Sequence, residues 1–380
     1  MYRGFKTFLS LFAFTMLSSH SAVAYEILPH DALEAIKNNP IHEAMTVSSF
    51  LCSNDQTKDE TNSILSCDEK YRDLKKIWEE YKSGKALDNE NSKIANTLIQ
   101  GTRWPDDPLR NLSKLKSTPK WGQVFASCKK LIFPYAGSCS NRLCQSHFGN
   151  LQTWHAMKPS RPWCDGQSDF GCNKKTDDVS VLGEIVEWAD FLSGVVTADI
   201  PLDKPLNDYG GEWFDSKCDK VYPISMQVRD LFRTDCSSKS NAVQITFCNV
   251  LEINDEDIRS LALGALLHLV QDSYSRSHVY RDGVDSTCPT AMVSCGKPVS
   301  FYDYAHQNSA AHKKSDQWPD WSKNCASEKE SVDPISAGAT IIYLANKGDR
   351  VGITNFLKSN TFLSELVTED PENELQCYKS

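Results

Sequence analysis

The sequence predicts a mainly α-helical protein in which one domain carries long insertions pinned by disulfides. Three segments repeat apolar residues at helical spacing, whereas strand-like alternation is scarce outside residues 242–250. No internal repeat, low-complexity linker or step in composition marks a second domain. The 380 residues, 40% hydrophobic and 24% charged, have the composition of a soluble globular protein.

Each predicted helix rests on a local pattern. The segment 181–192 repeats apolar side chains three and four residues apart. Asn254 is a favourable N-cap, acidic residues follow it, and apolar residues recur as far as Val270, so this helix should be long and largely buried. Similar spacing predicts a helix over 335–345, and the segment 301–318 is interpreted as another helix.

The N-terminal segment is predicted to be a signal peptide. Two basic residues precede the short apolar run 8–17, and the small-x-small pattern that signal peptidase recognises ends at Ala24. The apolar run is too short to span a bilayer. We therefore expect a signal peptide over residues 1–24 and a single catalytic domain over residues 25–380, exported to the periplasm or secreted.

The 14 cysteines all lie after the expected cleavage site, and their number is even. In an oxidising compartment this predicts several disulfides, and no Cys-x-x-Cys pair favours a thiolate metal site. Polar segments such as 159–180 and 282–298 are predicted to be loops. The pairing stays open, although three short loops are plausible local bridges: Cys139–Cys144, Cys164–Cys172 and Cys288–Cys295.

Charge and motifs exclude several functional classes. The chain has 41 Lys and Arg against 50 Asp and Glu, a net charge of −9, whereas a general nucleic-acid coat needs a basic surface. The G-x-S-x-G elbow of serine lipases, the H-E-x-x-H of zinc proteases and the phosphate-binding loop are all absent from the sequence. These findings favour a metal-dependent hydrolase.

Two His-x-x-x-Asp pairs give the clearest chemical signal. His268 and Asp272 lie four residues apart in the predicted buried helix, so they share one helical face, and His278 follows shortly after. His312 and Asp316 repeat the spacing. Imidazole and carboxylate groups that converge from a rigid helix can bind one metal ion.

The expected N-terminus adds two more groups, because cleavage leaves the α-amine of Tyr25 five residues from His30, and a deprotonated α-amine can bind a metal. Several motifs follow these groups in a definite order along the chain: Trp104-Pro-Asp106, a later His, H-x3-D-x5-H and H-x3-D. With this order of motifs, the chain resembles the zinc-dependent phospholipases C. It is also similar to the zinc-dependent single-strand-specific nucleases, which share the same helical fold and a trinuclear zinc cluster. The most specific part is residues 267–279.

The resemblance implies three zinc ions and their ligands. The first ion would be held by Asp106, His155, His268 and Asp272. The second would be held by His278, His312 and Asp316. The third would be held by the amine and carbonyl of Tyr25, by His30 and by Asp272, which thus bridges two ions. Asp106 and Asp272 are accordingly the predicted catalytic carboxylates.

Alternatives remain for several ligands. His147 competes with His155, since the family usually places its Asp and the following His close together. Asp107 competes with Asp106 as a ligand, and the Trp-x-Asp pattern favours Asp106. Among the other histidines, the sequence favours surface or supporting positions for His42 and His306.

The resemblance implies a phospholipase C that hydrolyses glycerophospholipids such as phosphatidylcholine to diacylglycerol and a phosphorylated headgroup. We expect a monomer that touches the membrane surface transiently and has no transmembrane segment. A zinc-dependent nuclease is the alternative, and nucleic acid is a partner only in that case. A secreted zinc-binding protein without catalysis is the second alternative.

Overall fold

The structure is a computed structural model that describes residues 40–56, 64–108, 142–149, 151–159, 177–209, 226–235, 249–250, 253–281, 296–303, 318–319 and 332–362. These residues are mainly helical, as the sequence predicts. The helices are α1 (Ile41–Gln56), α2 (Leu74–Lys82), α3 (Asn89–Arg103), α4 (Arg142–Phe148), α5 (Asp178–Val196), α6 (Val228–Arg233), α7 (Asp255–Ser273), α8 (Pro334–Asn346) and α9 (Arg350–Phe356). Two short antiparallel pairs join β1 (Thr234–Asp235) to β2 (Asn249–Val250), and β3 (Val279–Arg281) to β4 (Pro298–Phe301).

Helix α7 lies at the centre and packs against α1, α3, α5, α6 and α8. Its N-cap is Asn254, whose side chain accepts a hydrogen bond from the backbone of Asp257. Every side chain from Leu261 to Ser273 is buried. The polar residues of this stretch therefore need polar or metal partners in the interior.

Two glycines let α3 and α7 touch backbone to backbone. A Cβ atom at Gly264 would lie 2.2 Å from the carbonyl oxygen of Leu98, and one at Gly101 would lie 2.3 Å from the α7 backbone. No larger residue fits without separating the helices. Because His268 lies one helical turn beyond Gly264, the crossing brings the end of α3, and Asp106 after it, to the middle of α7.

The β3–β4 pair ties the loop after α7 to the short 3₁₀ turn Gln152–His155. The backbone N–H of Tyr302 donates to the carbonyl of His278 (2.9 Å), and that of Lys158 donates to the carbonyl of Tyr302 (2.9 Å). His155 and His278 are thereby placed on neighbouring stretches of backbone.

A disulfide between Cys52 and Cys67 joins α1 to the segment before α2. It is the one disulfide that the described residues contain, and each of the three suggested local bridges involves a cysteine outside them. Among the described helices, none is both long and apolar enough to cross a membrane.

Three predicted helices are confirmed as α5, α7 and α8. The helix predicted over 301–318 is wrong at its start. Phe301 belongs to β4, where it is buried and pairs with Val279, and this ladder replaces helical hydrogen bonds. Residues 304–317 lie outside the described part of the chain.

Candidate metal centre

Six buried side chains form one group of imidazoles and carboxylates, named here the His/Asp cluster. Its members are His42, Asp106, His147, His155, His268 and Asp272, each at most 1% exposed. They fall into three overlapping sets of three, and within each set the candidate ligand atoms lie within 4.8 Å of one another. These buried groups could bind a metal ion.

Different elements deliver the members of the cluster. His42 lies in the first turn of α1, Asp106 follows α3, and His147 lies in α4. His155 ends the 3₁₀ turn, where the next residue adopts a left-handed backbone with φ of 50°. His268 and Asp272 share one face of α7, as their spacing predicts. The cluster is thus a product of tertiary packing around α7.

The closest contacts surround Asp272. Its Oδ2 lies 2.9 Å from Nε2 of His268 and 3.0 Å from Nδ1 of His155, and these two nitrogens are 2.9 Å apart. Its Oδ1 lies 3.2 Å from Nε2 of His42. Ligand atoms of one zinc ion with bonds of about 2.0 to 2.1 Å lie about 2.8 to 3.4 Å apart for angles between 90° and tetrahedral. The spacing around Asp272 therefore fits a metal site.

The contacts of Asp106 are longer. Its Oδ1 lies 3.6 Å from Nε2 of His147 and 3.8 Å from Nδ1 of His155, and its Oδ2 lies 3.9 Å from Nδ1 of His268. Among the described residues, neither oxygen has a hydrogen-bond partner. Burying a carboxylate without hydrogen bonds is costly, and a cation between these groups would remove that cost.

Backbone carbonyls orient two histidines, one in the His/Asp cluster and one beside it. Nδ1 of His147 donates to the carbonyl of Leu143 (3.0 Å), and Nδ1 of His278 donates to the carbonyl of His155 (2.7 Å). A carbonyl oxygen only accepts, so in each neutral ring Nε2 carries the lone pair. Ligating histidines commonly use their other nitrogen in this way.

Electrostatics keep both carboxylates charged. Burial opposes the charge of Asp272, but the neighbouring His268, His278 and His42 outweigh it and hold the pKa of this carboxyl well below its usual value. The pKa of Asp106 is lowered in the same way, against burial, chiefly by His268.

Most of the imidazoles are kept neutral. Burial lowers the pKa of His147 and His268, and it lowers the pKa of His278 to about 4. His42 differs, because Asp272 and Asp106 outweigh burial and raise its pKa. Neutral imidazoles beside charged carboxylates are in the protonation state that metal ligation requires.

Buried tryptophans support two members of the cluster. Trp104 lies two residues before Asp106, and Trp154 directly precedes His155. The two indole rings are 4.6 Å apart, and Trp154 also stacks on Trp188 at 5.3 Å. This packing fixes the backbone that carries the Asp106 carboxylate and the His155 imidazole.

Of the predicted ligands of the first zinc ion, His155, His268 and Asp272 form one of the three sets, and Asp106 shares the other two sets with His155 and with His268. His278 borders them, with Nδ1 3.5 Å from Oδ2 of Asp272. Tyr25, His30, His312 and Asp316 lie outside the described residues. The sequence left two choices of ligand open, His147 or His155 and Asp106 or Asp107. His147 and His155 both approach Asp106, whereas Asp107 belongs to none of the three sets.

His42 is the member that sequence reasoning missed. The sequence favoured a surface or supporting position, but the side chain is fully buried, and its ring stacks on His268 with centroids 4.2 Å apart. One signal was present, since Pro40 immediately precedes α1 and proline is favoured at helix starts. It would have placed His42 in the first turn of a helix, with Thr46 one turn further along.

Comparisons with protein-family models, with curated proteins and with solved structures find no match. The resemblance to zinc-dependent phospholipases C and nucleases therefore stays a prediction.

Proposed function

We propose that this protein is a secreted zinc-dependent phospholipase C, which hydrolyses glycerophospholipids such as phosphatidylcholine to diacylglycerol and a phosphorylated headgroup. The observation that carries the proposal is the His/Asp cluster, in which four imidazoles and two carboxylates form three overlapping sets of candidate metal ligands in the interior. The substrate class comes from the sequence resemblance, whose central motif supplies His268, Asp272 and His278.

The donor set suits zinc, which is typically bound by imidazole nitrogen and carboxylate oxygen in such sites. One ion would be held by Asp106, His155, His268 and Asp272. The second, as the resemblance implies, would be held by His278, His312 and Asp316. The third, which the resemblance assigns to Tyr25, His30 and Asp272, would also be held by His42, whose Nε2 lies 3.2 Å from Oδ1 of Asp272.

Zinc held there would lower the pKa of a bound water enough to provide hydroxide as the nucleophile near neutral pH, and would supply positive charge for the phosphate oxygens. The protein's own contribution is to fix the ligands. Asp272 stays charged and joins two sides of the cluster, while burial keeps His268 and His278 neutral. No protein nucleophile is required.

A zinc-dependent single-strand nuclease is the second candidate. It is favoured by the motif Trp104-Pro-Asp106, because Asp106 belongs to the cluster. Trp104 is only 2% exposed and packs on Trp154 and Phe232, so its ring supports the carboxylate from inside the core. The ring is therefore not placed to stack on a nucleic-acid base.

Substrate assays on the zinc-loaded mature chain test the proposal. We expect release of phosphorylcholine from phosphatidylcholine vesicles, loss of this activity with a chelator, and recovery with zinc. Asp272→Asn should abolish it, and Asp203→Asn, at an exposed aspartate, should leave it unchanged. Cleavage of single-stranded DNA without lipid hydrolysis would transfer the assignment to the nuclease. Zinc uptake without either activity would identify a non-catalytic zinc-binding protein.

A further inference from the structure

A chain of four hydrogen bonds runs from a main-chain carbonyl to His42. The hydroxyl of Thr102 donates to the carbonyl of Leu98 (3.0 Å), and the hydroxyl oxygens of Thr46 and Thr102 are 2.9 Å apart. Nε2 of Gln271 donates to Oγ1 of Thr46 (3.1 Å), and Oε1 of Gln271 lies 2.6 Å from Nδ1 of His42. All four side chains are buried, so the chain connects α1, α3 and α7 inside the core.

The carbonyl at one end fixes the direction of every bond. Thr102 has one hydroxyl hydrogen, which it gives to the carbonyl, so it must accept from Thr46. Thr46 has then used its own hydrogen and accepts from the amide of Gln271. The amide oxygen of Gln271 accepts in turn, which requires that Nδ1 of His42 is the donor.

The electron pair of the neutral His42 ring therefore lies on Nε2. This atom faces Oδ1 of Asp272 at 3.2 Å, and stacking on His268 fixes the plane of the ring. A lone pair and a carboxylate oxygen at this distance attract each other only through a cation between them, which can be a proton on Nε2 or a metal ion that takes its place. The separation lies inside the range expected for two ligands of one zinc ion.

We infer that Gln271 is a positioning residue, which sets the tautomer of His42 so that its Nε2 and Asp272 Oδ1 can hold one zinc ion. The inference rests on the metal centre of the proposed function and adds the groups that prepare one of its ligands. Gln271 touches neither substrate nor metal, since its amide is engaged by His42 and Thr46.

Two substitutions at residue 271 separate its hydrogen bond from its volume. Gln271→Met keeps a side chain of similar length and removes the acceptor for His42. Gln271→Glu keeps that acceptor and loses the donor to Thr46. Ser49→Ala is the matched control, because Ser49 is equally buried in α1 but donates to the carbonyl of Ile335, away from the chain.

Zinc affinity and the His42 tautomer are the readouts, measured by chelator competition and by long-range proton–nitrogen NMR of the zinc-loaded protein. We expect Gln271→Met to weaken the binding of one zinc ion by about ten- to a hundredfold, and to lose the proton fixed on Nδ1. Gln271→Glu should retain the tautomer and affinity within a few-fold. Ser49→Ala should match the wild type.

The outcomes decide the inference independently of activity. Wild-type zinc affinity and an unchanged tautomer in Gln271→Met would overturn it. If circular dichroism shows that this variant does not fold, Thr46→Val decides, and unchanged zinc affinity there would equally refute the positioning role. A wild-type chain that takes up no zinc would remove both proposals. Tautomer and affinity changes as expected, without hydrolysis of any substrate, would remove only the phospholipase assignment.

Discussion

Asp272 presents its two carboxylate oxygens to different histidines. Oδ2 lies between His155 and His268, and Oδ1 faces His42. The oxygens of Asp106, in contrast, lie 3.6 to 3.9 Å from their nearest imidazole nitrogens. Asp272, whose two oxygens contact different histidines at short distance, should therefore contribute more to metal binding than Asp106, whose contacts are longer.

Asp272→Asn should therefore remove more zinc than Asp106→Asn. An amide preserves the size of the side chain but removes the charge, and only one of its two ends accepts. Elemental analysis of the purified variants measures the zinc content, with Asp203→Asn as the exposed control. Equal or greater zinc loss in Asp106→Asn would contradict the bridging role of Asp272.

The pKa of His278 makes the metal-free protein sensitive to acid. Burial lowers it from 6.5 to about 4, so between these values the unfolded chain binds a proton that the folded chain does not. This contribution to stability is complete above pH 6.5 and is lost as the pH falls towards 4. His147 and His268, whose pKa values are also lowered, act in the same direction.

Urea unfolding in the presence of a chelator, followed from about pH 7 to about pH 4, measures this dependence. The free energy of unfolding should fall across the window, and it should fall less in His278→Asn, which has no proton to gain. A dependence in that variant as steep as in the wild type would show that His278 is not responsible.

At the level of residues, spacing predicts what one helix arranges. His268 and Asp272 share a face of α7 because they are four residues apart, and this needs no tertiary information. His42 and His147 reach the same point only after α1 and α4 have packed. Their contacts with Asp272 and Asp106 depend on long-range packing, which no local pattern encodes.

Helices differ in how well the sequence predicts them. Helix α7 has a strong N-cap and a long apolar run, whereas α1 went unpredicted because it is buried on all sides. Its buried residues include Glu43, Thr46 and Ser49, so apolar and polar positions do not separate into two faces. Helix α2 offered a local signal that was overlooked, since Leu74, Ile77 and Trp78 are buried at helical spacing behind the N-cap Asp73.

The α3–α7 crossing makes Gly264 sensitive to the smallest substitution. In Gly264→Ala the new methyl group would meet the backbone of α3 at Leu98, so the helices must separate. Overpacking of this kind costs about 1 to 3 kcal/mol, and the shift should also draw Asp106 away from His268. Chemical denaturation and zinc affinity should both deteriorate.

Gly183→Ala provides the matched comparison for this crossing. Gly183 lies within α5 and has open space around the position of a Cβ atom. Replacing a helical glycine there should stabilise the protein by about 0.5 to 1 kcal/mol and leave zinc affinity unchanged. A Gly264→Ala variant that behaves like Gly183→Ala would disprove the close approach of α3 and α7.

For the whole molecule, a metal ion in the cluster would connect α1, α7 and the chain after α3 at one point. Ligands that bind only the folded state stabilise it, by about 2.7 kcal/mol when the free ligand is a hundredfold above its Kd. A chelator should therefore lower the thermal midpoint, and added zinc should restore it. An unchanged midpoint, measured by calorimetry, would contradict a metal that bridges these helices.

The disulfide supplies an independent comparison for this measurement. Cys52–Cys67 closes a loop of 15 residues, and its removal in a Cys52→Ser, Cys67→Ser variant should cost about 3 kcal/mol. Cys52 lies on α1 but outside the His/Asp cluster. A chelator should therefore lower the thermal midpoint of this variant by as much as it lowers that of the wild type, although the variant starts from a lower midpoint. Loss of that shift would mean that the disulfide and the metal site are not independent.

The separation of His42 from its partners along the chain has a consequence for the order of folding. His42 and Gln271 are 229 residues apart, and the Asp272 carboxylate that faces His42 follows directly. Closing so long a loop costs more conformational entropy than closing a short one, so we expect these contacts to form after the local ones. An ion that needs both ends cannot act as a nucleus for folding, so it would be captured by an almost finished core.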